Sequence, residues 1–419
     1  MNGRPWRLYA LIAVAAVLVL YARTLHFAFY WDDFDDLRPW TWADLASTFT
    51  GQYQPWAREG IYFYRPLTSV YFAAATWLFG LNATWLHTIP LVTLSVAATL
   101  AARVAARETG LRAAGVLTAL LYVAHPLTAT AVGPWIANQY QGFVVIATLA
   151  ALLAWRPQAM ARAGLSVPLA AALIAAAWLK EDGLALGPAL LVMHLTRAHW
   201  TRDVPPPSRA MILGLVGLAT LLVLWRAVWL PAQFGYGLPG PSQIAANLTR
   251  AWRYALVWHV GATPIALLIT LAKAAVLAWA VWLTARHRDS ASTRLIVTAV
   301  AVMAVMNLPL GLVSSESRWH VMGLCAVLLT TGALVALPIG GRWIAAALIV
   351  LLFAAGSWER ISAFGPCSPE TLEHNRWALA LPELPRELRA WIASRDAACA
   401  SGHYDAFSVP MRDMRWGQR

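Results

Sequence analysis

Four aspartates within five positions, Asp32, Asp33, Asp35 and Asp36, stand directly behind the first apolar stretch of the chain. Acidic residues are scarce elsewhere, with 20 Asp and Glu in 419 residues. Like charges crowded at the mouth of an apolar helix repel one another and resist leaving water. Such a cluster is either a solvated loop that caps the helix or a group that performs chemistry. Paired carboxylates do so in two ways. One carboxylate takes a proton from an attacking hydroxyl, or two together hold a divalent cation.

Cations and hydrogen-bonding groups stand at comparable boundaries further on. Arg65 precedes Pro66, which fixes the backbone and presents a guanidinium at the start of a short apolar segment. Only two of the 32 basic residues are lysine, Lys180 and Lys273. Trp178-Leu-Lys-Glu-Asp-Gly183 interrupts an otherwise continuous apolar stretch from 165 to 196. It is a plain turn with an internal Lys–acid pair, or it borders a polar cavity. Lys273 lies in the middle of an apolar run and requires an acidic partner or a water-filled cavity. His125-Pro126 ends a span and is followed by Thr128, Thr130, Trp135, Asn138 and Gln139, while Glu316, Arg318 and His320 open another. For the histidines alone, a capped helix end is the simpler reading. Taken together the set suits an anionic, amphipathic ligand: guanidinium for phosphate, Trp for a sugar face or an isoprenoid, and Asp for a proton or metal.

The elements that must position these groups are membrane helices. The chain is 59 % hydrophobic and 12 % charged with mean hydropathy +0.56, and helices satisfy their own backbone hydrogen bonds in lipid. Apolar spans fall near 8–25, 85–102, 113–127, 140–155, 165–179, 184–196, 210–230, 262–284, 293–313, 319–338 and 342–357. The expectation is an all-α polytopic transmembrane protein of about 11 spans. Arginines cluster in alternate connections, from Arg4 and Arg7 through Arg103, Arg107 and Arg112 to Arg342, which places those segments and the N-terminus in the cytoplasm. The Asp cluster and the C-terminal tail then lie outside. That register requires 65–80 to lie in the outer interface rather than cross, and 247–260 reads as a second interfacial helix. The net charge of +12 follows from this topology and does not call for a nucleic-acid partner. The 23 Trp suit interfacial belts and aromatic-lined cavities.

Residues 1–357 therefore form a membrane domain with an external loop at 26–84, and 358–419 a small external cap with helices expected over 369–381 and 383–397. Cys367 and Cys399 both fall in that tail, where a disulfide could persist, whereas Cys325 sits in an apolar span. No internal repeat, phosphate-binding loop, dinucleotide fingerprint or zinc signature is visible. No cleavable signal peptide is apparent. The high Arg-to-Lys ratio and the lack of eukaryotic targeting signals point to a bacterial inner membrane.

These residues match a family pattern. The chain resembles the GT-C superfamily of polyprenyl-phosphate-sugar-dependent glycosyltransferases, above all the protein O-mannosyltransferase and aminoarabinose-transferase branch and the mannosyltransferase region of transmembrane/tetratricopeptide-repeat proteins. Phe29-Tyr-Trp-Asp-Asp33 looks like the aromatic-Asp-Asp/Glu motif after the first span, and Tyr64-Arg-Pro-Leu67 like the basic-Pro segment that opens the interfacial helix. Ala124-His-Pro-Leu127 through Trp135-Ile136 resembles the His-Pro…Trp-Ile block. Leu179-Lys-Glu-Asp-Gly183 is similar to the Lys-Glu-x-Gly block and Glu316-Ser-Arg-Trp319 to the late Glu-Arg-Tyr motif. The likeness covers about residues 8–330. Asp182 and Trp319 depart from it, tetratricopeptide repeats are absent, and the tail is unlike the soluble domains of several relatives.

The resemblance implies transfer, on the external face and with inversion, of a sugar from a polyprenyl-phosphate donor to a hydroxyl of a glycan, lipid or protein. Asp32 or Asp33 would be the base, and Arg65, Arg318 and Lys180 would bind the donor phosphate. Tyr64, His125, Glu181, Glu316 and His320 would shape the site. No cofactor is implied, although Asp32 and Asp33 would be the ligands if a divalent metal served, as in some branches. Two other classes fit parts of the chain. A lipid-linked-sugar flippase would carry ionisable groups along a path through the bilayer, whereas a non-catalytic envelope assembly protein would tolerate replacement of Asp32 and Asp33.

Overall fold

The computed structural model describes residues 5–27, 29, 37, 40–51, 63–80, 82–132, 136, 139–229, 240–257, 263–288, 290–309, 320–362, 367, 372–373, 375–376, 379–380 and 386–401. Every regular element among them is helical. In chain order the α-helices are α1 (Pro5–Tyr21), α2 (Trp42–Ser47), α3 (Pro66–Phe79), α4 (Ala83–Thr109), α5 (Arg112–Ala124), α6 (Pro126–Val132), α7 (Gln139–Ala154), α8 (Pro157–Ala163), α9 (Val167–Leu179), α10 (Leu186–Thr196), α11 (Arg209–Trp229), α12 (Pro241–Leu256), α13 (Pro264–Arg286), α14 (Ala291–Met306), α15 (His320–Val335), α16 (Ile339–Ser362) and α17 (Arg386–Ala400). Among the described residues, five helices are long and apolar enough to cross a bilayer: α1 with the turn that follows it, α4, α11, α13 and α16. A helix among these residues overlaps each expected span, and five of the 11 expected spans fall on helices of that length. The span expected over 293–313 stops as a helix at Met306, because Asn307 caps it and Pro309 lies two residues on.

The short α3 covers about 21 Å at 1.5 Å per residue and packs on α2 and α9. The helix expected to lie in the interface over 247–260, α12, is strongly amphipathic and begins at Pro241, six residues before the expected start. Proline at the first helical position is preorganised for that role. Lys273 of α13, expected to need an acid or water, donates from Nζ to the carbonyl of Tyr254 at 2.9 Å. That carbonyl belongs to the last turn of α12, which has no intrahelical donor, so the buried ammonium anchors α12 to α13.

His125-Pro126 breaks one long helix into α5 and α6. Proline removes an N–H, and helix ends in lipid must find other donors. Tyr21 of α1 donates to the carbonyl of Val123 at 2.6 Å, and Ser357 of α16 to that of Ala124 at 2.7 Å. Elsewhere small residues permit close approach, which carries much of the association between helices in lipid. A Cβ on Gly332 of α15 would meet Ile296 Cγ1 of α14 at 2.8 Å.

The Arg-bearing connections meet at one end of the bundle. Arg197 donates to Glu108 at 2.6 Å and pairs with Asp203, Arg107 donates to Glu108 and to the carbonyl of Leu153, and Arg294 stands 4.0 Å from Asp203. Segments 103–112, 153–162, 197–209 and 286–294 thus share an end, as the charge pattern requires. At the other end a separate apolar cluster gathers Phe29, Leu37, Trp40, Phe72, Leu86, Ile136 and Ile392. Ile392 belongs to α17, so the tail packs on the same cluster as α3. Within the tail Cys367 and Cys399 are disulfide-bonded. Of the two helices expected there, the second is α17, and most of the first lies outside the described residues.

Candidate active site

The site is built where α3 begins and α9 ends. Thr68, in the first turn of α3, donates to the carbonyl of Leu179 at 2.6 Å. Leu179 is the last residue of α9 and its carbonyl has no intrahelical partner, so one buried hydroxyl joins the two segments. The chain then opens at Lys180 into extended backbone and makes a 3₁₀ turn over Glu181–Ala185 before α10 begins. Gly183 is required by this packing. A Cβ there would lie 2.0 Å from the carbonyl oxygen of Ala176, so the turn is pressed against the backbone of α9.

Four residues expected from the sequence, Tyr64, Arg65, Lys180 and Glu181, come together here. The Arg65 guanidinium donates from Nε and Nη2 to the same oxygen of Glu181, at 2.9 and 2.7 Å. It lies over the rings of Phe63 and Tyr140, 4.1 and 5.1 Å from their centroids. Lys180 donates to Asp182 at 2.5 Å and to Gln141 Oε1 at 3.1 Å, with its Nζ 6.0 Å from the Tyr140 centroid. Arg65 and Lys180 are both buried and share Tyr140 between them. Cations held in a low-dielectric site with carboxylate and aromatic partners keep their charge and a fixed direction. Tyr64 donates to the carbonyl of Phe49 at 3.0 Å and accepts from Trp225 Nε1 at 2.7 Å. Burial raises its phenol, and the Trp225 bond pulls in the opposite direction without cancelling the rise.

Burial alone would push the Glu181 carboxyl up. The charge and hydrogen bonds of Arg65, the charge of Arg226 and a backbone bond outweigh it, leaving Glu181 below the ordinary glutamate range. Among the described residues the cluster holds three cations, Arg65, Lys180 and Arg226, against two carboxylates, Glu181 and Asp182.

The expected residues do not all gather here. Asp32, Asp33, Glu316 and Arg318 lie outside the described residues, as does the side chain of His320. The flanks of the Asp segment are described: Phe29 and Leu37 are buried in the cluster that holds Phe72 of α3, the helix whose start carries Arg65. His125 is buried at the α5–α6 break, where its Nδ1 accepts from the N–H of Leu127 at 3.2 Å and its ring meets Phe353 edge-on at 4.9 Å. Its visible role is to shape that break. No metal-ligand cluster occurs among the described residues, and the metal candidates Asp32 and Asp33 are not among them.

Sequence reasoning missed Tyr140, Gln141, Trp225 and Arg226. Arg226 carried a signal: it sits at the end of span 210–230 opposite Arg209, against the charge pattern of the other spans. Tyr140 and Gln141 carried none, because their role follows only from the register of α7 against α9.

No protein-family profile matches the chain, and no curated protein matches it. Among solved structures, the chain is similar to ArnT from Cupriavidus metallidurans, crystallised bound to undecaprenyl phosphate, at 16 % sequence identity and TM-score 0.49, over 94 % of this chain and 70 % of that one.

Proposed function

We propose that this chain is a GT-C-type membrane glycosyltransferase that moves a sugar from a polyprenyl-phosphate donor to an acceptor hydroxyl at the external face, with inversion. The observation that carries the reading is the convergence of two motifs distant in sequence. Tyr64-Arg-Pro-Leu67 and Leu179-Lys-Glu-Asp-Gly183, both like the motifs of that superfamily, meet through Arg65 and Glu181. Phe29 and Leu37, which flank the Asp segment in sequence, are buried in the same apolar cluster as Phe72 of α3.

In this reading the acceptor oxygen attacks the anomeric carbon opposite the phosphate. Its proton passes to Asp32 or Asp33, the new glycosidic bond forms, and the bond from the anomeric carbon to the phosphate oxygen breaks. The leaving polyprenyl phosphate takes the electron pair. Lys180, Arg65 and Arg318 stabilise that charge, and Glu181 holds Arg65 in position. The lipid tail binds in the membrane and fixes the orientation of the headgroup. The donation of Lys273 to the end of α12 gives that lysine a structural partner, which supports the enzyme reading over the carrier reading.

The test is a deletion strain whose lipids and envelope glycans are profiled by mass spectrometry. The reading expects a polyprenyl-phosphate sugar to accumulate and one glycan to disappear, with both reversed by the wild-type chain. Unchanged lipids and glycans contradict it. The sugar that accumulates names the donor, and the missing glycan names the acceptor.

A further inference from the structure

A groove of about 590 Å³ runs along α10, α13 and α14, with Leu329 of α15 among its walls. Leu277, Val281, Val300 and Ala304 make it almost wholly apolar, and Arg288 and Trp200 stand at one end of it. The lining positions on α13 and α14 span about 12–16 Å at 1.5 Å per residue, the reach of most of one extended acyl chain. At the polar end the Arg288 guanidinium lies over the Trp200 ring, 4.3 Å from its centroid. The charge is thereby held at the mouth of the groove, in the same segment as Arg286 and Arg294.

This combination selects its occupant. A sugar or nucleotide would leave its hydroxyls unpaired along an apolar wall. A neutral lipid would gain nothing from the guanidinium. α13 is one of the helices apolar enough to cross a bilayer, so acyl chains are what surrounds this face. We propose that the groove binds an acyl chain of an anionic phospholipid whose phosphate pairs with Arg288. The site is distinct from the Arg65 cluster. The turn at Glu181 precedes α10 and Trp200 follows it, which separates them by roughly 25 Å along that helix. The lipid would brace α13 and α14 beside the Arg197–Glu108–Asp203 network, and the inference does not depend on the proposed reaction.

The test uses the full chain purified in detergent and exposed to phosphatidylglycerol or to diacylglycerol, which lacks the phosphate, of matched acyl chains, with retained lipid read by native mass spectrometry. Wild type is expected to retain phosphatidylglycerol about tenfold over diacylglycerol, the order of one charge-assisted pair. Arg288→Gln should bring that ratio to near one. Val300→Phe fills the groove at an exposed position, and should lose both lipids while keeping the lipid-free thermal transition of wild type. Ala304→Phe repeats the test at a second wall position. Equal retention of both lipids by wild type, full retention by both groove-filled variants, or displacement of a polyprenyl phosphate instead of a phospholipid would each overturn the proposal.

Discussion

Arg65 and Glu181, 116 positions apart, are joined through a single carboxylate oxygen that accepts from both Nε and Nη2 of the guanidinium. The pair ties the start of α3 to the break between α9 and α10 and fixes the direction of a buried cation. A lysine cannot make this fork, so Arg65→Lys should fail to restore transfer to an Arg65→Gln strain. Glu181→Gln leaves the buried guanidinium without its counter-charge, a loss of about 3 kcal/mol. Thermal unfolding in detergent checks this, and an unchanged transition temperature would refute the coupling.

The same pair sets a pH dependence. Arg65 and Arg226 hold the Glu181 carboxyl below its ordinary value of 4.5 despite burial. A group whose folded pKa is depressed contributes stability that is fully present above its unfolded value and lost as pH falls through the folded one. Stability from this pair should be intact at pH 6–8 and decline only below about 4.5. Chemical denaturation across pH 3–7 should show a steeper acid decline for wild type than for Glu181→Gln. Parallel curves would mean that the carboxyl is not held down by its partners.

Gly183→Ala tests the close packing of the turn. Its Cβ would lie 2.0 Å from the Ala176 carbonyl oxygen, and all three nearest atoms belong to backbone, so the turn must move away from α9. The expected cost is about 3 kcal/mol, with transfer reduced further because Lys180 and Glu181 shift with the turn. A variant with wild-type stability and activity would show that this backbone yields freely.

Much of this arrangement was legible in the sequence. The charged triplet and Gly183 marked the break between α9 and α10, because ionised groups cannot continue an apolar run. Pro126 marked the break after α5, and the alternation of Arg-rich segments foretold which connections share an end. The long-range partnerships were not legible. Nothing in Tyr64-Arg-Pro-Leu67 names Glu181 as the acceptor. The partner of Lys273 is a backbone carbonyl, which carries no side-chain pattern. The span expected to run to 313 stops at Met306, because a capping Asn and a nearby Pro decide a boundary that hydropathy blurs.

Lys273 separates the enzyme reading from the carrier reading. Its Nζ caps α12 through the Tyr254 carbonyl, so its role is structural. Lys273→Met should lower stability by about 1.5–3 kcal/mol, the value of a hydrogen bond from a charged donor, and leave transfer by the folded protein within about threefold of wild type. Membrane-normalised glycan levels measure this. Abolished transfer at wild-type stability would favour a charge pathway through the bilayer.

The central claim is that a carboxylate of the Asp segment acts as base beside the Arg65–Lys180–Glu181 cluster. The most direct measurement complements the deletion strain with wild type, Asp32→Asn or Asp33→Asn at matched membrane expression and quantifies the polyprenyl-phosphate sugar that accumulates. At least one Asn variant is predicted to leave the donor accumulated and the glycan reduced by about 100-fold or more while wild type clears it. Full clearance by both variants would contradict the claim and remove the Asp pair from the chemistry.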